Sequence, residues 1–187
     1  EKLKNWTAQV QPKTQSLVYL HWQICSEPDV FQKYPSSRLL GPNGEQRMYP
    51  FEVPRALCVT TNRNTYGRAL LEAAPKMLRD TGAGGFFLDE INYSVYPYAY
   101  GNDGGWDGCS VEPSSGQPKP LASVTLLCQS WKAELLSRIR KDGKFLIGNG
   151  APHTRTIAQM KFPTVNETIS SGRGSRTTTG SITRVAA

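Results

Sequence analysis

The chain has 187 residues, 38% hydrophobic and 10% aromatic, enough for one soluble domain with a sizeable core. Its formal net charge is +7. The cations are scattered, with no basic run of five and no basic aromatic face, which argues against a nucleic-acid partner. No stretch approaches the length of a membrane span, and no signal peptide is visible. Glu1 is not a start residue, so the expectation is a processed, trimmed or partly observed N-terminus.

In chain order, SLVYLHWQI (16–24) reads as a strand, being apolar, β-branched and aromatic. A polar, Pro-bearing loop follows, and ALCVTT (56–61) is a minor strand or part of that loop. Asn64 or Thr65 is positioned to cap a helix over 66–80, whose apolar positions Ala69, Leu70, Ala73, Ala74, Met77 and Leu78 keep helical spacing. Pro75 inside it predicts a kink or break, and Gly82 ends it. GGFFLDE (84–90) is the second clear strand, running straight into Asp89 and Glu90. A long Tyr-, Gly- and Asp-rich loop covers about 91–120, and a helix is expected over about 121–141, with an apolar stripe of Leu121, Val124, Leu127, Cys128, Trp131, Leu135 and Ile139. The basic RIRKDGK (138–144) complements the dipole at its end. KFLIGNG (144–150) is a third strand, HTRTIAQM (153–160) a short helix and FPTVNETIS (162–170) a fourth strand. Residues 171–187 read as an irregular Gly/Ser/Thr/Arg-rich tail after a domain spanning 1–170, and no internal repeat is present.

Strands alternating with helices predict parallel βαβ units, with strands apolar on both faces where helices cover them. An open doubly wound sheet and part of a (β/α)8 barrel compete. The Rossmann and P-loop fingerprints are absent, because GAGG (82–85) precedes a strand where a phosphate loop should follow one. The strands share polar endings: His21 and Trp22, Asp89 and Glu90, Asn149, and Asn166 with Glu167. Barrel enzymes build their sites there. A full barrel needs about 250 residues, so four strands predict an α/β fold of parallel (β/α) units that is TIM-barrel-like but partial or fragmentary.

Cys25, Cys58, Cys109 and Cys128 include no CxxC spacing, so no zinc or redox motif is supported. An even, widely spaced set allows two disulfides in any of three pairings. At least one disulfide is expected, with Cys58 and Cys109 the more exposed candidates and Cys128 a buried thiol. Asn5, Asn92 and Asn166 head N-glycosylation sequons. Cysteines and sequons together predict a secreted, extracellular glycoprotein.

Two carboxylates across a cleft cleave a glycosidic bond, one as general acid and the other as nucleophile or base. Asp89 and Glu90 are adjacent, so strand alternation sends them to opposite faces. One of them is therefore expected to pair with Glu167 on a later strand. Tyr93, Tyr96, Tyr98, Tyr100 and Trp106 offer flat faces for sugar rings, and Asp103 and Asp107 are candidates for binding hydroxyls. GNDGGWDG also allows a calcium loop, though without the EF-hand spacing. His21 and His153 are the only histidines, and a Ser/His/Asp triad lacks its G-x-S-x-G elbow.

GGFFLDEINYSVYPYAY…WDGCSVE, followed by LASVTLLCQSWKAELL…FLIGNGAPHTRT…FPTVNETIS, resembles secreted glycoside-hydrolase-like (β/α)8 barrel proteins, a poorly characterised set, over about residues 16–170. The resemblance rests on a strand ending in Asp-Glu, a Trp-Asp-Gly loop and a later strand ending in Asn-Gly. It implies a barrel, a carbohydrate-related role, and site residues among Asp89, Glu90, Trp106, Asp107, Asn149 and Glu167. The short length and the Arg/Thr/Gly tail depart from the pattern.

Two functions follow as expectations. The first is O-glycoside hydrolysis, with Asp89, Glu90 and Glu167 as the catalytic acids. His21, Trp22, Tyr93, Trp106, Asp107, Asn149 and His153 would then contact substrate, with no cofactor or metal. The second is a non-catalytic extracellular structural or glycan-binding protein retaining the barrel. In both, the partner is a carbohydrate or glycan, and assembly with other chains is possible.

Overall fold

The computed structural model describes residues 15–27, 29–50, 55–101, 103–112, 119–169 and 178–183, with the backbone alone at 119–120, 166–169 and 178–183. In chain order the elements are β1 (Leu17–His21), β2 (Ile24–Cys25), α1 (Val30–Lys33), β3 (Met48–Tyr49), β4 (Arg55–Leu57), α2 (Thr65–Thr81), β5 (Gly85–Asp89), β6 (Tyr98–Tyr100), β7 (Val111–Glu112), β8 (Lys119–Ser123), α3 (Val124–Leu127), α4 (Gln129–Lys141), β9 (Phe145–Asn149), α5 (Arg155–Gln159), β10 (Thr164–Ile169) and β11 (Thr178–Thr183).

The main sheet runs β1-β5-β9-β10-β11. Its first four strands are parallel, with Leu17 opposite Gly85, Gly85 opposite Phe145, and Thr164 opposite Gly148. Among the described residues the strand order does not reverse, unlike that of a doubly wound sheet. No barrel is closed among the described residues: the sheet is open, and β11 joins β10 antiparallel where the sequence reads as irregular tail. Two small antiparallel sheets, β2-β4-β3 and β6-β8-β7, sit in the β1–α2 and β5–α4 connections. Among the described residues no helix is long and apolar enough to cross a membrane.

The two faces of the main sheet differ. Phe86, Leu88 and Leu146 are buried on one face, in a single core with Leu70, Leu71, Ala74 and Leu78 of α2, Trp131, Leu135, Leu136 and Ile139 of α4, and Ile157 of α5. Each fully buried side chain of this size contributes about 1.5–3 kcal/mol. On the other face Tyr19 stacks on Phe87 with ring centroids 6.0 Å apart, and Tyr19 and Phe145 are 61% and 45% exposed. Apolar residues thus line both faces, and the helices among the described residues cover one of them.

Local chemistry explains the helix boundaries. The Asn64 side chain accepts from the Gly67 N–H and caps α2, and Gly82 ends it at φ 65, a left-handed conformation that costs glycine little. α2 runs through Pro75 without a break, so of the kink or break expected there the break does not occur. Gly67 leaves room for the turn into α2, because a Cβ there would meet the Thr61 carbonyl oxygen at 2.0 Å, and its own carbonyl accepts the indole N–H of Trp131 on α4 at 2.8 Å. The helix expected from 121 begins at Val124, because Leu121–Ser123 pair with Tyr98–Tyr100 as strand.

Candidate functional site

β1, β5 and β9 end side by side, with His21 opposite Asp89. Asp89 is half-buried and accepts on both oxygens. The Tyr19 hydroxyl bonds Oδ2; Asn149 Nδ2 and the Glu90 N–H bond Oδ1 at 2.7 and 3.0 Å. Its donors therefore come from both neighbouring strands.

Glu90 follows with φ 51, a left-handed conformation costing a non-glycine residue about 1 kcal/mol. That turn overrides the strand alternation. The Glu90 carboxyl does not leave on the face opposite Asp89; it meets the side chain of His21, the cross-strand neighbour of Asp89. It is 4% exposed, with Oε1 accepting from the Tyr49 hydroxyl at 2.7 Å and Oε2 3.4 Å from His21 Nε2. His21 Nδ1 accepts from the Gln23 N–H at 3.3 Å, so the neutral ring carries its proton on Nε2, toward Glu90. Burial first, and then the Glu90 carboxylate, push the Tyr49 hydroxyl far above the phenolic range, so Tyr49 remains a donor to that carboxylate. The ring of Tyr49 meets that of His21 edge-on at 5.0 Å.

Tyr49 is a site residue that sequence reasoning missed. It reaches Glu90 from β3, 41 residues earlier, and no local pattern around Met48–Tyr49 marks it.

Trp22 is no sugar platform. It is fully buried, stacks on Trp131 at 6.2 Å, and donates its indole N–H to the Glu90 carbonyl at 2.8 Å. Lys132 Nζ lies 4.0 Å from its ring centre, and burial brings the Lys132 amine down to about 8. Trp22 is therefore the floor under Glu90. Asn149 is buried and orients Asp89. His153 is exposed, its ring centre 6.2 Å from that of Tyr93.

The backbone of Glu167 continues β10 two residues past Val165, the partner of Asn149; its side chain, like that of Asn166, lies outside the described residues. Asn5 lies outside them too. The sequon at Asn92 is folded inside: Asn92 is 1% exposed and its amide nitrogen donates to the Gly150 and Asn149 carbonyls.

The Trp-Asp-Gly loop is a separate place. Asp107 accepts from the N–H groups of Cys109, Ser110 and Ser123 at 3.0, 2.8 and 2.7 Å and from the Ser110 hydroxyl at 2.6 Å. Burial alone would raise its carboxyl, but those donors outweigh it and hold the group well below the carboxylate range. Asp103 takes Arg38 on both oxygens, at 2.6 and 3.2 Å. Asp107 is thus committed to its own turn, and Asp103 ties the loop to Arg38 in the β1–α2 connection. Trp106 is 52% exposed, its indole N–H spent on the Ser110 carbonyl. An open groove of about 630 Å³ runs past it, lined also by Asn62, Arg63, Asp103, Asp107 and Gln129. Asp89 and Glu90 do not line that groove.

All four cysteines are free, and Cys58 is fully buried where the sequence suggested exposure. No protein-family model, curated protein or solved structure matches the chain.

Proposed function

We propose that the chain is one segment of a carbohydrate-active (β/α) barrel and that it hydrolyses O-glycosidic bonds with the acids at the end of β5. One observation carries this reading: Asp89 and Glu90, with His21, Tyr49 and Asn149 around them, meet at the C-terminal ends of three adjacent parallel strands. That is where parallel (β/α) sheets place their chemistry. The unreversed strand order, with the described helices on one face and Tyr19, Phe87 and Phe145 on the other, fits the wall of a barrel whose interior that apolar face would line.

In this mechanism Asp89, the less buried acid, faces the sugar. Its two oxygens are held by donors from three residues, which fixes its aim as nucleophile at the anomeric carbon or as base toward water. Glu90, held by Tyr49 and backed by His21, or Glu167 on β10, donates the proton to the departing oxygen. Trp22, Asn149 and Tyr49 position these acids and do not bind sugar.

A second reading is favoured by the groove at Trp106. An exposed indole face above polar side chains suits a glycan bound without turnover, and it lies apart from the acids. Turnover and equilibrium binding of a panel of aryl glycosides and oligosaccharides separate the two. Hydrolysis supports the first reading. Saturable binding without hydrolysis removes it and leaves the second.

A further inference from the structure

The small sheet β2-β4-β3 carries a feature that the glycosidase reading does not use. β2 and β4 are antiparallel, with Ile24 opposite Leu57 and Cys25 opposite Ala56. The Cys58 N–H donates to the Gln23 carbonyl at 2.7 Å, continuing that register by one residue. Side chains two apart on a strand share a face, so Cys25, Ala56 and Cys58 lie on one side of the ribbon, and Cys25 and Cys58 are diagonal neighbours. Each thiol is the largest influence on the other's acidity. Cys58 is further fixed by a bridge to Arg38 on its other edge. Neither of the other two cysteines is so placed: Cys109 is exposed and bonds Asp107, and Cys128 is buried on the α3–α4 junction.

The geometry points to Cys25 and Cys58 as a disulfide-forming pair that draws β2 and β4 together and locks one to the other. The pairing is independent of the glycosidase reading. Closure proceeds by exchange with a small-molecule disulfide. The Cys25 thiolate attacks one sulfur of the reagent, breaking its S–S bond and releasing one thiol. The Cys58 thiol then gives up its proton and attacks the Cys25 sulfur, releasing the second. The protein loses two hydrogens as a disulfide forms, and the reagent is reduced to two thiols. Cys25 is the attacking group: hydrogen bonding from the Cys58 thiol, against the opposing effect of burial, brings it down to about 7, and the same contact with burial pushes Cys58 far up. The consequence reaches the strand ends. β3 pairs with the same β4, and Tyr49 on β3 holds Glu90.

The test uses the full chain carrying Cys109→Ser, which removes the exposed thiol. The protein is equilibrated with oxidised glutathione, acid-quenched, unfolded, alkylated and peptide-mapped. The expected result is the loss of two alkylatable thiols, a cross-linked peptide joining Cys25 to Cys58, its disappearance on adding dithiothreitol, and an upward shift in melting temperature of the oxidised form. Full alkylation of both residues after oxidation would overturn the proposal. So would a cross-link to Cys128, or a glutathione adduct persisting on Cys25 beside a free Cys58.

Discussion

The end of β5 and the loop at Trp106–Cys109 both present carboxylates beside aromatic rings, yet they hold them differently. Asp107 is bound by donors two and three residues ahead and by the Ser123 backbone, so its carboxylate closes its own turn and ties it to β8. Beside one backbone N–H, that of Glu90 on Asp89, the two acids are bound by side chains from other strands, Tyr19 of β1, Tyr49 of β3 and Asn149 of β9, with His21 of β1 3.4 Å from Glu90. Backbone donors nearby mark an acid that serves its loop. Side-chain donors converging from separate strands, at the price of a left-handed Glu90, mark an acid held by several elements at once.

Removing Asp107 should therefore cost the fold most. Asp107→Ala leaves three backbone N–H groups and one hydroxyl without their acceptor, and urea denaturation should show a loss of about 2–4 kcal/mol. The acid dependence has a definite sign. The folded carboxyl is depressed, so its stabilisation is present above the ordinary carboxylate range and is lost as pH falls through the folded value. Asp107→Asn should remove that part of the acid unfolding profile. If both variants match the wild type, the loop does not need its acid and the contrast collapses.

A smaller effect, of opposite direction, is expected under the strand-end site. The Lys132 amine titrates near 8 when folded and at its ordinary 10.5 when unfolded, because burial disfavours its charge. Between those values the unfolded chain holds more protons, so stability should rise with pH from about 8 to 10.5. Lys132→Met should stabilise the protein at pH 7 by about 2 kcal/mol and remove that rise from the difference between the two proteins. Thermal melts at pH 7, 8.5 and 10 measure both.

The smallest change in stability is predicted for Trp106→Ala. Half-exposed and bonded only within its own loop, Trp106 should cost under about 0.5 kcal/mol on removal. Isothermal titration with oligosaccharides reads the other side of that prediction. Binding lost with the fold intact assigns the groove to glycan. Binding unchanged assigns it to neither reading.

The four parallel strands and their helices were legible in the sequence because apolar runs and 3.6-residue stripes report burial directly. Leu121 was misread as the start of a helical stripe: its side chain fits that spacing, but Tyr98–Tyr100 claim its backbone for a strand. The acids at Asp89 and Glu90 were legible as strand-end residues, but their arrangement was not. Alternation assumes extended backbone, and φ 51 at Glu90 breaks that assumption without a glycine to announce it. Trp22 reads as a substrate contact because it follows a strand end; only the tertiary fold buries it between Glu90 and Trp131.

The central claim, that the end of β5 is an acid pair acting on a glycoside, is tested most directly by kcat/KM for an activated aryl glycoside in the wild type, Asp89→Asn and Glu90→Gln, with urea midpoints measured on the same preparations. The wild type should turn over, Asp89→Asn should lose about 10³-fold or more and Glu90→Gln about 10²–10⁴-fold, and both midpoints should stay close to the wild type. Undiminished turnover in both variants, or losses that track unfolding in each, would contradict it.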